Sequence, residues 1–157
     1  MTFYAESYGC SSNTFDFQVI LGILTEHGFR RVGDPDEAEL IILNTCGVKK
    51  VTEDRMFSRI VRLSRTNKPL IISGCLPRIA FDKIVKAAPN FAAVLDPYSV
   101  ERIIEAASGA IRGNKGLVYF SSEAGTLHRK LLRKRERLNP FIDVIQVAEG
   151  CLGYCSY

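Results

Sequence analysis

Cysteine is the residue type in this chain best suited to chemistry, and three of the five cysteines share one context. Cys10 follows Tyr8-Gly9, Cys46 sits in Asn44-Thr45-Cys46-Gly47, and Cys75 follows Ser73-Gly74. Each stands just past a segment that reads as a β-strand, and each touches a glycine. If those strands are parallel neighbours, the three thiolates emerge beyond their carboxyl ends, where open α/β sheets place their sites. Three soft ligands without a fourth describe an iron–sulfur cluster with one iron left open, or an unfinished zinc site. Separations of 36 and 29 residues lack the paired C-x2-C knuckles of structural zinc, but the residues alone do not separate the two metals. A free cysteine is also a small hydrophobe that packs well inside a fold. Three at equivalent positions after three successive strands ask for more than packing. The flanking glycines let the backbone approach a bulky ligand, and a helix starting after each cysteine would lower the thiol pKa values.

The second group is Cys151-Leu152-Gly153-Tyr154-Cys155, with C-x3-C spacing. Alone it is a weak signal. One more cysteine directly after Tyr157 would complete C-x3-C-x2-C. An odd number of cysteines and no secretory leader point to reduced thiols and a cytoplasmic setting rather than a disulfide framework.

Charge is distributed unevenly. The whole chain of 157 residues carries +4, yet residues 128–138 hold six basic side chains and one acid, so the remainder sums to −1. Arg129, Lys130, Arg133, Lys134, Arg135 and Arg137 are therefore candidates for contact with RNA phosphates. The competing reading is a solvated interdomain linker, with Leu131, Leu132 and Leu138 packing against something. His27, at a helix end before Gly28, reads as structural, and His128 receives no role. The apolar runs are short and none approaches the roughly 20 residues of a membrane span, so no membrane is expected.

These residues must be positioned by alternating elements. Residues 2–7 read as a strand, and Asn13 to Gly28 as an amphipathic helix with Asn13 as its N-cap and Asp16 in its first turn. Glu39–Asn44 and Pro69–Ser73 read as strands buried on both faces. Thr52 to Arg65, Ile79–Ala88 and Ser99 to Ile111 read as helices, and Ala92–Leu95 and Gly116–Phe120 as further strands. The alternation predicts an α/β fold: a doubly wound, mostly parallel sheet of about five strands with flanking helices and right-handed crossovers. Residues 1–120 form that domain, 121–139 a basic linker, and Phe141–Val147 the first strand of a second domain starting at 140.

In order, Tyr8-Gly9-Cys10 with Asn13 and Asp16, Asn44-Thr45-Cys46, Ser73-Gly74-Cys75, and Gly150-Cys151-Leu152-Gly153-Tyr154-Cys155 resemble the radical-SAM methylthiotransferases, across essentially the whole chain. Asn44-Thr45-Cys46-Gly47-Val48-Lys49-Lys50 with Glu53-Asp54-Arg55-Met56, and Asn139-Pro140-Phe141-Ile142, look like the archaeal and eukaryotic branch acting on N6-threonylcarbamoyladenosine beside the tRNA anticodon, at position 37.

The resemblance implies that Cys10, Cys46 and Cys75 ligate an auxiliary 4Fe-4S cluster. Cys151 and Cys155, with a third ligand absent here, would hold the 4Fe-4S cluster that binds S-adenosyl-L-methionine. It further implies one S-adenosyl-L-methionine as methyl donor and another as source of a radical that removes hydrogen from adenine C2, with a methylthio group taking its place. A tRNA anticodon stem-loop, a sulfur donor and an electron donor are the implied partners. Against that pattern the chain lacks most of the barrel and the carboxy-terminal RNA-binding module, so this segment alone is not expected to catalyse the reaction. Other readings are methylthiolation of isopentenyl-adenosine tRNA or a ribosomal protein aspartate, a non-catalytic iron-sulfur or metal-thiolate module, and a plain nucleic-acid-binding domain. A cobalamin-binding domain shares the layout, but its Asp-x-His-x-x-Gly motif is absent.

Overall fold

A computed structural model describes residues 1–47, 50–122, 126–149 and 153. Its sheet is built from β1 (Thr2–Ser7), β2 (Arg30–Arg31), β3 (Leu40–Thr45), β4 (Leu70–Gly74), β5 (Ala93–Leu95) and β6 (Leu117–Tyr119), in the order β2-β1-β3-β4-β5-β6. Every pairing is parallel. The expected α/β fold is therefore present, with six strands. The order follows the doubly wound pattern whose direction of winding reverses between β1 and β3, and ligand crevices open at such a reversal.

The helices are α1 (Ser11–Glu26), α2 (Lys50–Ser64), α3 (Leu76–Ile79), α4 (Phe81–Ala87), α5 (Ile103–Ile111) and α6 (Leu127–Leu131). They cover both faces of the sheet, which explains the unbroken apolar runs in β3 and β4. Leu40 and Ile42 turn toward the layer of α1 and α5, while Ile41 and Leu43 turn toward α2 and α4. Side chains alternate faces along a strand, so a strand covered twice must be apolar throughout. Among the described residues no helix is long and apolar enough to cross a membrane.

Several local expectations are corrected. Helix α1 begins at Ser11 with Cys10 at its N-cap, because the Cys10 carbonyl already accepts from the Thr14 N–H at 3.0 Å. Asn13 lies inside the first turn, and its amide leaves the helix for neighbouring loops. The helix expected at Ile79–Ala88 is two short helices separated at Ala80, whose φ of −142° is not helical. The one expected from Ser99 opens as a 3-10 turn over Pro97–Arg102. Arg30–Arg31 was not expected as a strand. It pairs with β1 through two backbone bonds, Arg30 N–H to the Met1 carbonyl at 2.9 Å and Val32 N–H to the Phe3 carbonyl at 2.9 Å. Phe141–Val147 forms no strand, with only an isolated bridge between Asn139 and Ile142 nearby. A strand needs a neighbour to take its backbone bonds, and no described strand runs beside these residues.

Residues 126–149 instead lie along α1. The Glu136 N–H donates to the Gln18 carbonyl at 3.0 Å, and the Thr25 hydroxyl donates to Glu136 Oε2 at 2.8 Å. The Lys134 carbonyl occupies the space that a Cβ on Gly22 would fill. Leu127 and Val144 pack against the α1 layer of the core.

Gly74 closes β4 with φ of +99°, and an added Cβ would collide with the Thr45 carbonyl. Gly74→Ala is expected to destabilise the fold by about 1–3 kcal/mol from backbone strain alone, read as a lower urea midpoint.

Candidate metal centre

Strands β1, β3 and β4 are adjacent, and their register aligns Ser7 with Asn44 and Asn44 with Ser73. The next residues of each chain segment lead to Cys10, Cys46 and Cys75, so all three cysteines leave the same edge of the sheet. None forms a disulfide. Cys10 is exposed, Cys75 half-buried and Cys46 buried.

Directly beneath them is a tier of polar side chains. Asn44 Nδ2 donates to Ser7 Oγ at 3.0 Å and to the Asn13 carbonyl at 2.9 Å, and Asn44 Oδ1 accepts from the Ser73 hydroxyl at 3.0 Å. The Thr45 hydroxyl donates to the Ser73 carbonyl at 2.6 Å. Asn13 Nδ2 reaches the Tyr8 carbonyl at 3.1 Å and the Thr45 carbonyl at 2.9 Å. The Cys75 N–H donates to that same Thr45 carbonyl at 3.0 Å. One connected network thus fixes the three loops that carry the cysteines. The sequence offers Asn13 as a helix N-cap and gives Ser7, Asn44, Thr45 and Ser73 no bonding role. The available signal was that two otherwise apolar strands, Leu-Ile-Ile-Leu and Leu-Ile-Ile, each end in buried polar residues.

Burial pushes the Cys75 thiol pKa up, and the charges of Cys46, Cys10 and Asp16, in that order, push it further, while Lys130, the smallest influence of all, opposes them. Cys75 therefore senses the other two sulfurs, and a soft cation among them would relieve the repulsion that opposes its thiolate. As placed, no group of three His, Cys, Asp or Glu among the described residues is drawn close enough to hold a metal ion. Cys151 and Cys155 lie outside the described residues.

A cavity of about 410 Å³ opens beside Cys75, with Asp16, Tyr98, Lys130 and Glu149 in its wall. Lys130 Nζ lies 2.8 Å from Asp16 Oδ1 and 3.9 Å from Glu149 Oε1, with Lys130 and Asp16 both buried. Glu149 Oε2 also accepts from the Leu127 N–H at 3.1 Å. On the far side, one turn after Cys75, Arg78 Nε donates to the buried Asp96 Oδ2 at 2.7 Å and its guanidinium stands over the rings of Tyr98 and Phe120.

The six candidates for phosphate contact are placed unequally. Lys130 is buried against Asp16 and does not face solvent. Arg129 and Arg133 share Glu101 at 3.0 and 3.2 Å. Arg135 and Arg137 share Asp143, each at 3.3 Å, and Arg135 also covers the Phe15 ring. Lys134 is exposed.

Residues 2–96 match the model of a family described as Uncharacterized protein family UPF0004. Over 98% of its length the chain is 34% identical to a protein of Pyrococcus abyssi named probable threonylcarbamoyladenosine tRNA methylthiotransferase. It is 35% identical to a protein of the same name from Methanothermobacter thermautotrophicus, again over 98% of this chain. Over its full length it is 30% identical to the tRNA-2-methylthio-N(6)-dimethylallyladenosine synthase of Thermosipho africanus. In each case the chain spans 35% of the relative's length.

Asp16→Ala would strand the Lys130 ammonium, a loss of about 3–5 kcal/mol where a buried pair has no escape. Lys130 is the buried charge by which residues 126–149 enter the core, so that segment is expected to loosen from α1 although its bonds to Gln18, Thr25 and Glu101 remain. Limited proteolysis should then cut at Arg129–Arg137 faster than in the native chain, with little change in the urea midpoint of the sheet. A second expectation concerns pH. Burial raises the Asp16 carboxyl from 3.8 to about 6. Between those values the native state keeps a proton that the unfolded chain has released, so this group's contribution to stability falls as pH rises through the window. The urea midpoint of Asp16→Asn should lack that decline.

Proposed function

Because the chain belongs to the Uncharacterized protein family UPF0004, we propose that it is the amino-terminal part of a tRNA methylthiotransferase and supplies the auxiliary iron–sulfur site. The observation that carries this reading is the convergence of Cys10, Cys46 and Cys75 at one edge of three adjacent parallel strands, over a shared polar tier. The donor set fits: three thiolates suit iron and leave one position open, and the mutual charge of the three cysteines favours a cation among them. Closing the set requires the side chains to draw together from where they stand. When bound, the clusters of such an enzyme supply the one-electron chemistry that an unactivated adenine C–H bond demands.

This chain's own residues then have definite tasks. Cys10, Cys46 and Cys75 would hold the auxiliary 4Fe-4S cluster, and Asn13, Asn44 and Ser73 keep their loops in register. Lys130 offsets part of the negative charge that Asp16 presents to Cys75. Residues 1–120 form the cluster domain, 121–139 the linker, and 140–157 the start of the segment where Cys151 and Cys155 would bind the S-adenosyl-L-methionine cluster. The substrate of the whole enzyme is N6-threonylcarbamoyladenosine beside the anticodon. Support for that choice comes from relatives of that name at 34% and 35% identity.

Anaerobic reconstitution with iron and sulfide should load about four irons per chain at this site. Cys10→Ala, Cys46→Ala and Cys75→Ala should each abolish that iron, while Cys151→Ala with Cys155→Ala should retain it. Retention of the full iron load after all three early substitutions would overturn the assignment. Nucleoside analysis of tRNA from cells with and without the gene decides the substrate. Loss of 2-methylthio-N6-threonylcarbamoyladenosine is expected, and loss of a dimethylallyl derivative instead would redirect it.

A further inference from the structure

We propose that one face of α2, together with Tyr8, is an RNA-binding surface leading to the cysteine edge. It rests on the RNA-modifying function proposed above. Arg55, Arg59 and Arg62 fall at i, i+4 and i+7 and so share a single helical face. They border a groove of about 440 Å³ that also includes Tyr8 and Asp54. Arg59 is fixed, with Nε 2.5 Å from Glu6 Oε1 and Nη2 2.8 Å from Glu6 Oε2. Arg55 and Arg62 are exposed, and among the described residues no hydrogen bond or ion pair engages either guanidinium, so both can take a phosphate in the bidentate geometry that arginine favours.

The contrast with residues 129–137 decides where to look. There, four arginines are divided between Glu101 and Asp143, and Lys130 is paired with Asp16. Binding a phosphate would first require those ion pairs to break. On α2, Asp54 is the acid among the described residues that line the groove. Tyr8 is 38% exposed and offers a ring on which an unstacked base can rest, the usual partner of a basic groove in single-strand recognition. Its backbone is held still by the polar tier, through Tyr8 N–H to the Asn44 carbonyl and Asn13 Nδ2 to the Tyr8 carbonyl. Cys10 follows two residues later. A loop nucleotide stacked on Tyr8, with its backbone along α2, would lie beside the edge where Cys10, Cys46 and Cys75 emerge.

The test measures binding of an anticodon stem-loop RNA to this chain, without iron, between about 50 and 200 mM salt. Native chain, Arg55→Ala with Arg62→Ala, Tyr8→Ala and Lys134→Ala are compared, with circular dichroism to verify folding. The paired arginine substitutions should weaken binding about tenfold and lower the salt slope by about two. Tyr8→Ala should weaken binding several-fold with the slope unchanged, since stacking releases no counterions. Lys134→Ala, which removes the exposed lysine of the basic segment, should have the smaller effect, and a loss as large as that of the arginine pair would overturn the choice of surface. If the arginine pair has no effect while RNA still binds, the surface is wrong and the RNA-modifying function survives. Failure of the native chain to bind RNA, or equal competition by polyglutamate, overturns the surface as well. Failure of the functional reading itself shows separately, in the iron content and the tRNA nucleosides.

Discussion

A polar side chain buried in a protein must find its partners in the interior, and Asn44 meets that demand in a way that organises the whole edge. It is fully buried at the end of β3. Its amide bonds β1 through Ser7, β4 through Ser73 and α1 through the Asn13 carbonyl. An apolar residue of similar size would pack there but would leave Ser7 and Ser73 without this link. The three cysteine loops are thus held by a network in a water-poor setting, where hydrogen bonds are strong and their loss is costly. The metal reading and the RNA surface both depend on it, since Tyr8 and Cys10 share one loop and Cys75 hangs from the Thr45 carbonyl.

A second constraint acts from outside the sheet. Residues 126–149 lie on α1 because Gly22 lets a backbone carbonyl come close and because Lys130 enters the protein to meet Asp16. The buried pair is a poor source of stability, since two desolvated charges roughly offset their attraction. It is a strong source of position, because few other places could receive that ammonium. One consequence is electrostatic: a buried ion pair, rather than a lone charge, lines the cavity beside Cys75.

Much of this was legible in the sequence. The alternation of elements, the doubly covered strands and the strand-end placement of Cys10, Cys46 and Cys75 follow from period and length alone. What escaped has physical causes. Asn13 resembles a helix cap, but its amide is taken by two loop carbonyls, so the helix starts earlier. Arg30–Arg31 has no strand-like pattern and pairs only because β1 offers a free edge. Phe141–Val147 has strand composition without a strand beside it. Lys130 looked like one more charge in a basic run, and nothing local reveals that its partner is 114 positions away.

The two margins of the sheet differ in chemistry but serve the same end. At one margin β2 is two arginines long, and Arg31 Nη2 reaches past it to donate to the Ala5 carbonyl at 3.2 Å, capping an acceptor that a longer strand would otherwise cover. At the other, β6 is three residues long, with the Arg102 guanidinium set over the Tyr119 ring. Short, charged margins give a foreign strand little to pair with. Neither margin therefore presents a long strand on which a neighbouring chain could build.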